Sequence, residues 1–269
     1  MNKSQIRPGY LYSKSYSNYV FILLFLLYVF DYADRMVVNS MFSFIQTDWS
    51  INDTQSGWLV SIIYLSIGIL TFPVSLVIDR WSRTKTIGIM AIVWSIATAL
   101  CAFTGNYVQL FMARILIGFG EAGYAPGGTA LISGMYPLVK RSKIMGFWNA
   151  SIPFGSAIGV TMGGIIAASL GWKHAFGIVA IPGLIIAILF LFVKDYKTVD
   201  LSYVDKSNIK IKMERKDMFR EFLSKPSVLF TYFGMAAIVF VTTAMIVWLP
   251  TYFASELKIE PKLAGTLAG

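Results

Sequence analysis

Long apolar runs, separated by short polar or glycine- and proline-containing turns, occupy most of the chain. Each of seven runs is long enough to cross a membrane, which takes about 20 mainly apolar residues in helical form. A run in lipid satisfies its backbone polar groups by forming a helix. The pattern therefore predicts an all-α membrane protein. The predicted spans are 18–45, 56–78, 86–104, 108–135, 144–169, 174–193 and 227–254, and residues 263–269 begin an eighth.

The composition excludes an ordinary soluble enzyme. Hydrophobic residues make up 56% of the 269 residues and charged residues 14%, against about 25% charged in soluble domains. The single cysteine, Cys101, excludes an internal disulfide, and the single histidine, His174, leaves no Cys/His set for a metal. We therefore expect no metal, no cofactor and no enzymatic activity.

Lysine and arginine cluster in alternate connections between the predicted spans. Eighteen of the 23 lie in the N-terminal tail and in the segments 79–86, 136–143 and 194–226. Loops rich in these residues stay on the cytoplasmic side of a membrane. We therefore expect a multi-pass protein of the cell (inner or cytoplasmic) membrane with a cytoplasmic N-terminus. The same distribution accounts for the net charge of +9 without a nucleic-acid partner.

The spans group into two unequal parts around one long polar connection. Residues 1–17 are predicted to form a cytoplasmic tail, 18–193 a six-helix transmembrane bundle, 194–226 a cytoplasmic linker, and 227–269 the start of a second bundle. Within the linker, residues 213–223 place methionine and phenylalanine side chains at helical spacing among charges. That spacing fits an amphipathic helix on the membrane surface, and it fits an ordinary solvated linker equally well.

Five charged residues lie inside predicted spans, three in the first span and two in the fourth. Placing one at the bilayer centre costs about 2.5–3.5 kcal/mol, and such residues usually mark a transport pathway. The first span holds an acid and an arginine four residues apart, which suits a helical ion pair. The fourth holds an arginine and an acid two turns apart on one face. The full set is Asp31, Asp34, Arg35, Arg114 and Glu121.

Two cations and three acids together predict the proton-coupled movement of an organic anion. Guanidinium groups match carboxylates, so two arginines beside a cavity favour a small carboxylate-bearing substrate, and the surplus acid can carry a proton. Asn149 in the fifth span is a further candidate for lining the cavity, whereas its neighbour Trp148 is more typical of the membrane interface. The alternative is an ion-pair set that only locks two helices together.

Glycines repeat at helical spacing in two spans. Residues 118–123, Gly-Phe-Gly-Glu-Ala-Gly, fit a dinucleotide-binding fingerprint, but that motif works only between a strand and a helix. Inside a span, small residues instead let helices approach closely. Gly155, Gly159 and Gly163 form a second such stripe. We expect these three residues and Gly118 to pack helices against one another.

Several motifs together resemble those of the major facilitator superfamily. Residues 79–83, Asp-Arg-Trp-Ser-Arg, are similar to its signature loop, and residues 114–126 are similar to its fourth-helix motif. Residues 32–35, Tyr-Ala-Asp-Arg, resemble the first-helix motif Y-x-D-R that two groups of this superfamily share, the anion:cation symporter family and the Spinster-type lipid transporters. Residues 248–253 resemble the end of helix 7 in the anion:cation symporters. Residues 152–156, Ile-Pro-Phe-Gly-Ser, are more similar to the Spinster-type lipid transporters, which are the alternative to the anion:cation symporter family.

The resemblance implies roles for particular residues. Substrate binding and proton coupling would be carried by one set: Asp34, Arg35, Arg114 and Glu121. A cytoplasmic latch that gates the pathway would be formed by another set: Asp79, Arg80 and Arg83. The sequence departs from the family pattern where a tyrosine is replaced by Gly68 and a glutamine by Thr71. Tyr64, one turn earlier, would take the place of that tyrosine. The sequence departs also where signature-loop glycines are replaced by Ser75 and Ser82 and a proline of the fifth helix by Thr161.

The resemblance also implies a fold of about twelve helices in two halves around a central site. Seven spans and the beginning of an eighth would correspond to the N-terminal half plus helix 7, with a missing C-terminal half needed for a complete transporter. The main expectation is secondary active symport of a small organic anion and a proton by alternating access. A Spinster-like exporter of lipids or lysolipids, and a fragment that transports nothing by itself, remain the alternatives.

Overall fold

The computed structural model describes residues 10–195 and 224–268, with the backbone alone at 79, 80 and 261. All the regular structure in these ranges is helical, as the apolar pattern predicts. A short 3-10 turn, Val38–Met41, joins the first two α-helices. The α-helices are α1 Lys14–Val37, α2 Phe42–Trp49, α3 Asp53–Arg80, α4 Arg83–Cys101, α5 Tyr107–Glu121, α6 Tyr124–Met135, α7 Leu138–Leu170, α8 Trp172–Leu191, α9 Pro226–Ser255 and α10 Pro261–Ala268.

Polar side chains define where several helices begin. Asn52 and Gln55 form a reciprocal capping box at the start of α3, with bonds of 2.9 and 3.0 Å. Ser82 and Asn106 accept hydrogen bonds from backbone N–H groups in the first turns of α4 and α5. Between α7 and α8 the chain turns at Gly171, whose φ of +93° is a conformation that glycine adopts without strain.

Two compact units are formed by the chain. The first contains α1 to α8 together with residues from Pro250 onwards, and the second contains the remainder of α9. The predicted linker lies largely outside the described residues, and so does the amphipathic helix predicted at 213–223.

Five of the seven predicted spans are single helices that are long and apolar enough to cross a membrane, namely α3, α4, α7, α8 and α9. The other two are interrupted. The first predicted span ends as α1 at Val37, after its three charged residues, and continues as α2. The fourth predicted span consists of α5, with 15 residues, and α6, with 12 residues.

The break between α5 and α6 directly follows Glu121 and has an identifiable cause. Proline has no backbone N–H, so Pro126 cannot donate to the carbonyl oxygen of Ala122 four residues before it. The Thr71 hydroxyl on α3 lies 3.2 Å from that carbonyl oxygen and 2.6 Å from the carbonyl oxygen of Ile67 on its own helix. Thr71 therefore supplies the donor that the proline lacks.

Replacing Thr71 by valine is expected to lower the free energy of unfolding by about 1–2 kcal/mol, because the Ala122 carbonyl loses its donor. Unfolding in mixed micelles followed by tryptophan fluorescence would measure this loss. Thr129 provides a matched control, since its side chain is exposed and its hydroxyl donates to the Ala125 carbonyl oxygen on its own helix. An equal effect of Thr71→Val and Thr129→Val would contradict this account of the break.

Helices α1 and α7 pack along the glycine stripe predicted from the sequence. A Cβ atom at Gly155 would lie 2.7 Å from the Cβ of Tyr32, and one at Gly159 would lie 2.8 Å from the Cα of Ala33. At Gly163 it would meet the backbone of α1 at the Val37 carbonyl oxygen, at 2.5 Å. The two helix backbones are therefore in direct contact, which only the absence of side chains permits.

The two ends of the segment from α1 to α8 are joined to each other. The Tyr12 hydroxyl donates to the Asp195 carbonyl oxygen at 2.9 Å, and the Lys194 N–H donates to the Tyr16 hydroxyl at 2.7 Å. We call these four residues the terminal clasp. Beside it, burial raises the pKa of Tyr136 to about 12, and the hydroxyl of Tyr136 bonds to the Ser17 carbonyl oxygen at 3.0 Å.

Candidate functional site

The centre of the charged cluster is the Arg35 guanidinium on α1. Its Nη2 donates to Asp31 Oδ2 at 2.7 Å, so the predicted pair four residues apart forms. Its Nε lies 2.8 Å from Glu121 Oε2, at the end of α5. One buried cation thus pairs with two buried carboxylates from two helices. Among the described residues, Oδ1 of Asp31 and both carboxylate oxygens of Glu121 have no hydrogen-bond partner.

Two tyrosine rings flank the same guanidinium. The carbon at its centre, Cζ, lies 4.8 Å from the ring centroid of Tyr32 and 5.9 Å from that of Tyr64. Tyr64 belongs to α3, one turn before Gly68, and its substitution for the family tyrosine stays a prediction. A guanidinium between aromatic faces is stabilised by their negative potential and keeps a fixed orientation.

Arg114 on α5 has a different environment. Its side chain is fully buried, and it forms no ion pair with any described carboxylate. Nε donates to the Leu59 carbonyl oxygen at 2.5 Å, and Nη2 donates to the Arg35 carbonyl oxygen at 3.4 Å. Nη1 has no hydrogen-bond partner within the described ranges. Arg114 is therefore a buried cation whose charge no neighbouring acid neutralises directly.

Asp34 is separated from the Arg35 pairings although it is the adjacent residue. Its Oδ2 accepts a hydrogen bond from the Thr98 hydroxyl on α4, and its Oδ1 has no partner in the described part of the chain. Both side chains are fully buried. Since Asp31 and Glu121 both contact Arg35, Asp34 is the acid that lacks a direct cationic partner.

The structure places the other candidates less centrally. Asn149 is exposed on α7, and the bond that its amide makes goes to the Met145 carbonyl oxygen on the same helix, at 2.8 Å. The interface assignment for Trp148 is wrong, because its indole is buried and stacks on Tyr28 with ring centroids 4.6 Å apart. The indole fits there because Gly128 has no side chain.

The contacts of Gly118 are described by the structure, whereas those of the signature loop at residues 79–83 are described only in part. A Cβ at Gly118 would lie 2.6 Å from Ser66 Cβ and 2.8 Å from the Ile63 carbonyl oxygen, so α5 and α3 are in close contact there. Arg83 is the first residue of α4. The side chains of Asp79 and Arg80 lie outside the described residues, so the predicted latch stays a prediction.

Sequence reasoning missed two partners of the charged residues. The Leu59 carbonyl cannot be recognised from sequence, because every residue carries the same group. Thr98 had a readable signal, since Ser95 and Thr98 are three residues apart in an apolar span and so share a helix face. Polar residues on one face of an apolar helix indicate an interior partner. Among the described residues no group of three His, Cys, Asp or Glu side chains is arranged to hold a metal.

The geometry assembles five ionisable side chains from α1 and α5 inside one helical unit, and a sequence comparison identifies the family. The sequence model of the Major Facilitator Superfamily matches residues 24–269. The chain belongs to the major facilitator superfamily. This family consists of transporters and not of enzymes, in agreement with the prediction.

The curated relatives of this superfamily member include the following three proteins. The hexuronate transporter of Bacillus subtilis is 29% identical over 90% of this chain and 58% of its own length. The probable L-galactonate transporter of Escherichia coli is 24% identical over 92% of this chain and 56% of its own length. Protein spinster homolog 1 of Xenopus tropicalis is 27% identical over 89% of this chain and 46% of its own length. The chain thus spans about half the length of these relatives.

A solved structure agrees with the fold. A crystal structure of a bacterial homologue of the human lysosomal transporter Spinster, inward-facing and unoccupied, superposes with a TM-score of 0.81 and 23% sequence identity. The match covers 95% of this chain and 59% of that protein. At this identity the likeness establishes the fold, which is that of the major facilitator superfamily.

Proposed function

We propose that this protein takes part in secondary active transport of a small organic anion together with a proton, by alternating access. The helices of residues 18–193 form one bundle around the charged cluster, and residues 227–269 begin a second bundle that completes the pathway. The N-terminus lies on the cytoplasmic side of the cell membrane, since 18 of the 23 lysines and arginines are in connections on that side. Asp79, Arg80 and Arg83 form its cytoplasmic latch.

The observation that carries the anion assignment is the environment of Arg114. A buried charge without a partner is costly, because burial removes its hydration. The hydrogen bonds of Arg114 to two backbone carbonyl oxygens satisfy N–H groups but leave its positive charge uncompensated. A substrate carboxylate that binds the unpartnered Nη1 supplies the missing charge, and guanidinium geometry suits that ligand.

The observation that supports proton coupling is the surplus acid. Arg35 forms ion pairs with Asp31 and Glu121, whereas the polar partner of Asp34 among the described residues is the Thr98 hydroxyl. A carboxyl that no cation holds in its ionised form can exist with or without a proton inside the protein. Asp34 is therefore assigned the transported proton, and the ion pairs of Arg35 keep the helices in register around it.

The names of the relatives narrow the substrate class. Hexuronate, L-galactonate and galactarate or D-glucarate, which appear in the names of four of them, are all sugar acids. Each carries at least one carboxylate and several hydroxyl groups, which matches a buried arginine beside tyrosines. The proposed substrate of this chain is accordingly a sugar acid.

Binding of galacturonate to the purified chain in lipid nanodiscs tests the proposal. We expect binding with uptake of a proton, no binding of uncharged galactose, and affinity at least tenfold lower in Arg114→Gln, which equals about 1.4 kcal/mol. Glutamine can still donate to the Leu59 carbonyl oxygen, so the fold should persist. Isothermal titration calorimetry in two buffers of different ionisation enthalpy would report affinity and proton uptake together.

Arg141 provides the control for this experiment. It lies at the cytoplasmic start of α7, where its Nε bonds to the Tyr136 carbonyl oxygen at 2.9 Å. Arg141→Gln removes the same charge outside the cluster and should leave the affinity unchanged. Equal affinity of Arg114→Gln and the unmodified protein for galacturonate would refute the assignment of Arg114.

A second candidate function rests on the Spinster relatives. The match to protein spinster homolog 1 covers 89% of this chain. Residues 152–156 also resemble the Spinster-type transporters. The same titration with lysophosphatidylcholine separates the two candidates. Binding of the lysolipid without binding of galacturonate would replace the sugar-acid proposal with lipid transport.

A further inference from the structure

Thr98 occupies an unusual position beside the proton-carrying carboxyl. Its hydroxyl donates to Asp34 Oδ2, and the same Oγ1 lies 3.0 Å from the carbonyl oxygen of Trp94 on its own helix. Thr98 and Asp34 are both fully buried. The hydroxyl hydrogen therefore has two acceptors within reach, a carboxylate on α1 and a backbone carbonyl on α4.

A carboxyl that binds and releases a proton changes its hydrogen-bonding needs. In the ionised form it only accepts hydrogen bonds, whereas in the protonated form it also donates one. An arginine can only donate and a backbone carbonyl can only accept, so each of these suits one form alone. A hydroxyl can do both. In a buried site a polar group without a hydrogen-bond partner is costly, so a partner that serves both forms stabilises both.

We propose that Thr98 is a positioning residue that satisfies Asp34 in both protonation states while the heavy atoms of both side chains stay in place. With Asp34 ionised, the Thr98 O–H donates to Oδ2. When Oδ2 takes up a proton, the new Asp34 O–H donates to Thr98 Oγ1, and the Thr98 hydrogen rotates to the Trp94 carbonyl oxygen. One proton is gained by Asp34, and no covalent bond of Thr98 breaks.

This inference deepens the proposed function, because it rests on Asp34 carrying the proton. The charged and titratable groups near Asp34 are Arg114 and Glu121 on α5, Cys101 on α4, and Asp31 and Arg35 on its own helix. Facing α1 from α7 is the glycine stripe, which has no ionisable side chains. Among the described residues, Thr98 alone makes a hydrogen bond to the Asp34 carboxyl.

Infrared difference spectroscopy of the chain in nanodiscs, recorded across a pH titration, tests this role. The carbonyl stretch of protonated Asp34 is identified by its absence in Asp34→Asn. In Thr98→Val, which keeps the side-chain shape without the hydroxyl, we expect that band to move and its proton affinity to change by about tenfold, which is one pH unit. Thr98→Ser, which keeps the hydroxyl, should restore both.

Two further variants separate positioning from general damage. Thr86 lies on the same helix and is buried, but its hydroxyl bonds to the Ser82 carbonyl oxygen, so Thr86→Val should leave the Asp34 band and its midpoint unchanged. Thr98→Ala repeats the test without the added valine methyl group. The proposal fails if Thr98→Val and Thr98→Ala both titrate like the unmodified protein, or if Thr98→Ser titrates like Thr98→Val.

The spectroscopic test is independent of substrate. Absence of galacturonate binding together with a Thr98-dependent Asp34 titration would overturn the proposed function and leave the role of Thr98 standing. Galacturonate binding together with an Asp34 titration that is unchanged in the Thr98 variants would overturn the role of Thr98 and leave the proposed function standing.

Discussion

Replacing Gly159 by alanine is expected to destabilise the protein by about 1–3 kcal/mol or more, the range for overpacking a close contact. The added Cβ would lie 2.8 Å from the Cα of Ala33 and 2.9 Å from its carbonyl carbon. These are backbone atoms of α1, so no side chain can rotate away and the helices themselves must separate. Resistance to unfolding by sodium dodecyl sulfate in mixed micelles would measure the loss.

Gly146 provides a control on the same helix. A Cβ built there has nothing within 4 Å, so Gly146→Ala adds the same methyl group in open space and favours the helix slightly. We expect this variant to be as stable as the unmodified protein or slightly more stable. If Gly159→Ala proved as stable as Gly146→Ala, the contact between α1 and α7 would not be as close as described.

Replacing Arg35 by glutamine should have the largest effect on stability, a loss of about 3–5 kcal/mol. Removing one partner of a buried ion pair leaves an uncompensated buried charge, and here Asp31 and Glu121 would both lose their cation. Protonation neutralises carboxylates, so the loss should shrink as the pH falls. Unfolding measured at pH values from 5 to 8, about the range of greatest stability for most proteins, would reveal this dependence.

The variant that neutralises the acids distinguishes this cause from a simple loss of packing. Combining Arg35→Gln with Asp31→Asn and Glu121→Gln removes the unpaired charges and should recover most of the lost stability at neutral pH. A triple variant no more stable than Arg35→Gln would show that the aromatic contacts of Arg35, and not its ion pairs, hold the helices.

Local spacing was enough to predict part of this site. Asp31 and Arg35 are four residues apart on one helix, so their ion pair follows from helix geometry alone. The glycine stripe on α7 was also readable, because small residues every four positions mark a close helix contact. Both features depend on the period of a single helix.

The remaining features depend on which helices are neighbours, which no local pattern contains. The ion pair between Arg35 and Glu121 joins α1 to α5, and the bond from Arg114 to Leu59 joins α5 to α3. The break after Glu121 depends partly on local sequence and partly on a neighbouring helix. Pro126 was visible in the sequence, but most prolines inside the described helices, such as Pro153, do not end them. The partner that stabilises this break, Thr71, comes from another helix.

The terminal clasp has a consequence for how such a protein can evolve. Because Tyr12 bonds to Asp195 and Tyr16 to Lys194, the beginning and the end of the eight-helix segment meet at one corner of the unit. Chain ends that lie close together tolerate duplication, fusion and insertion, since a new connection need not cross the fold. A segment joined after Asp195 therefore begins beside the start of α1, and its connection need not cross the helices before it.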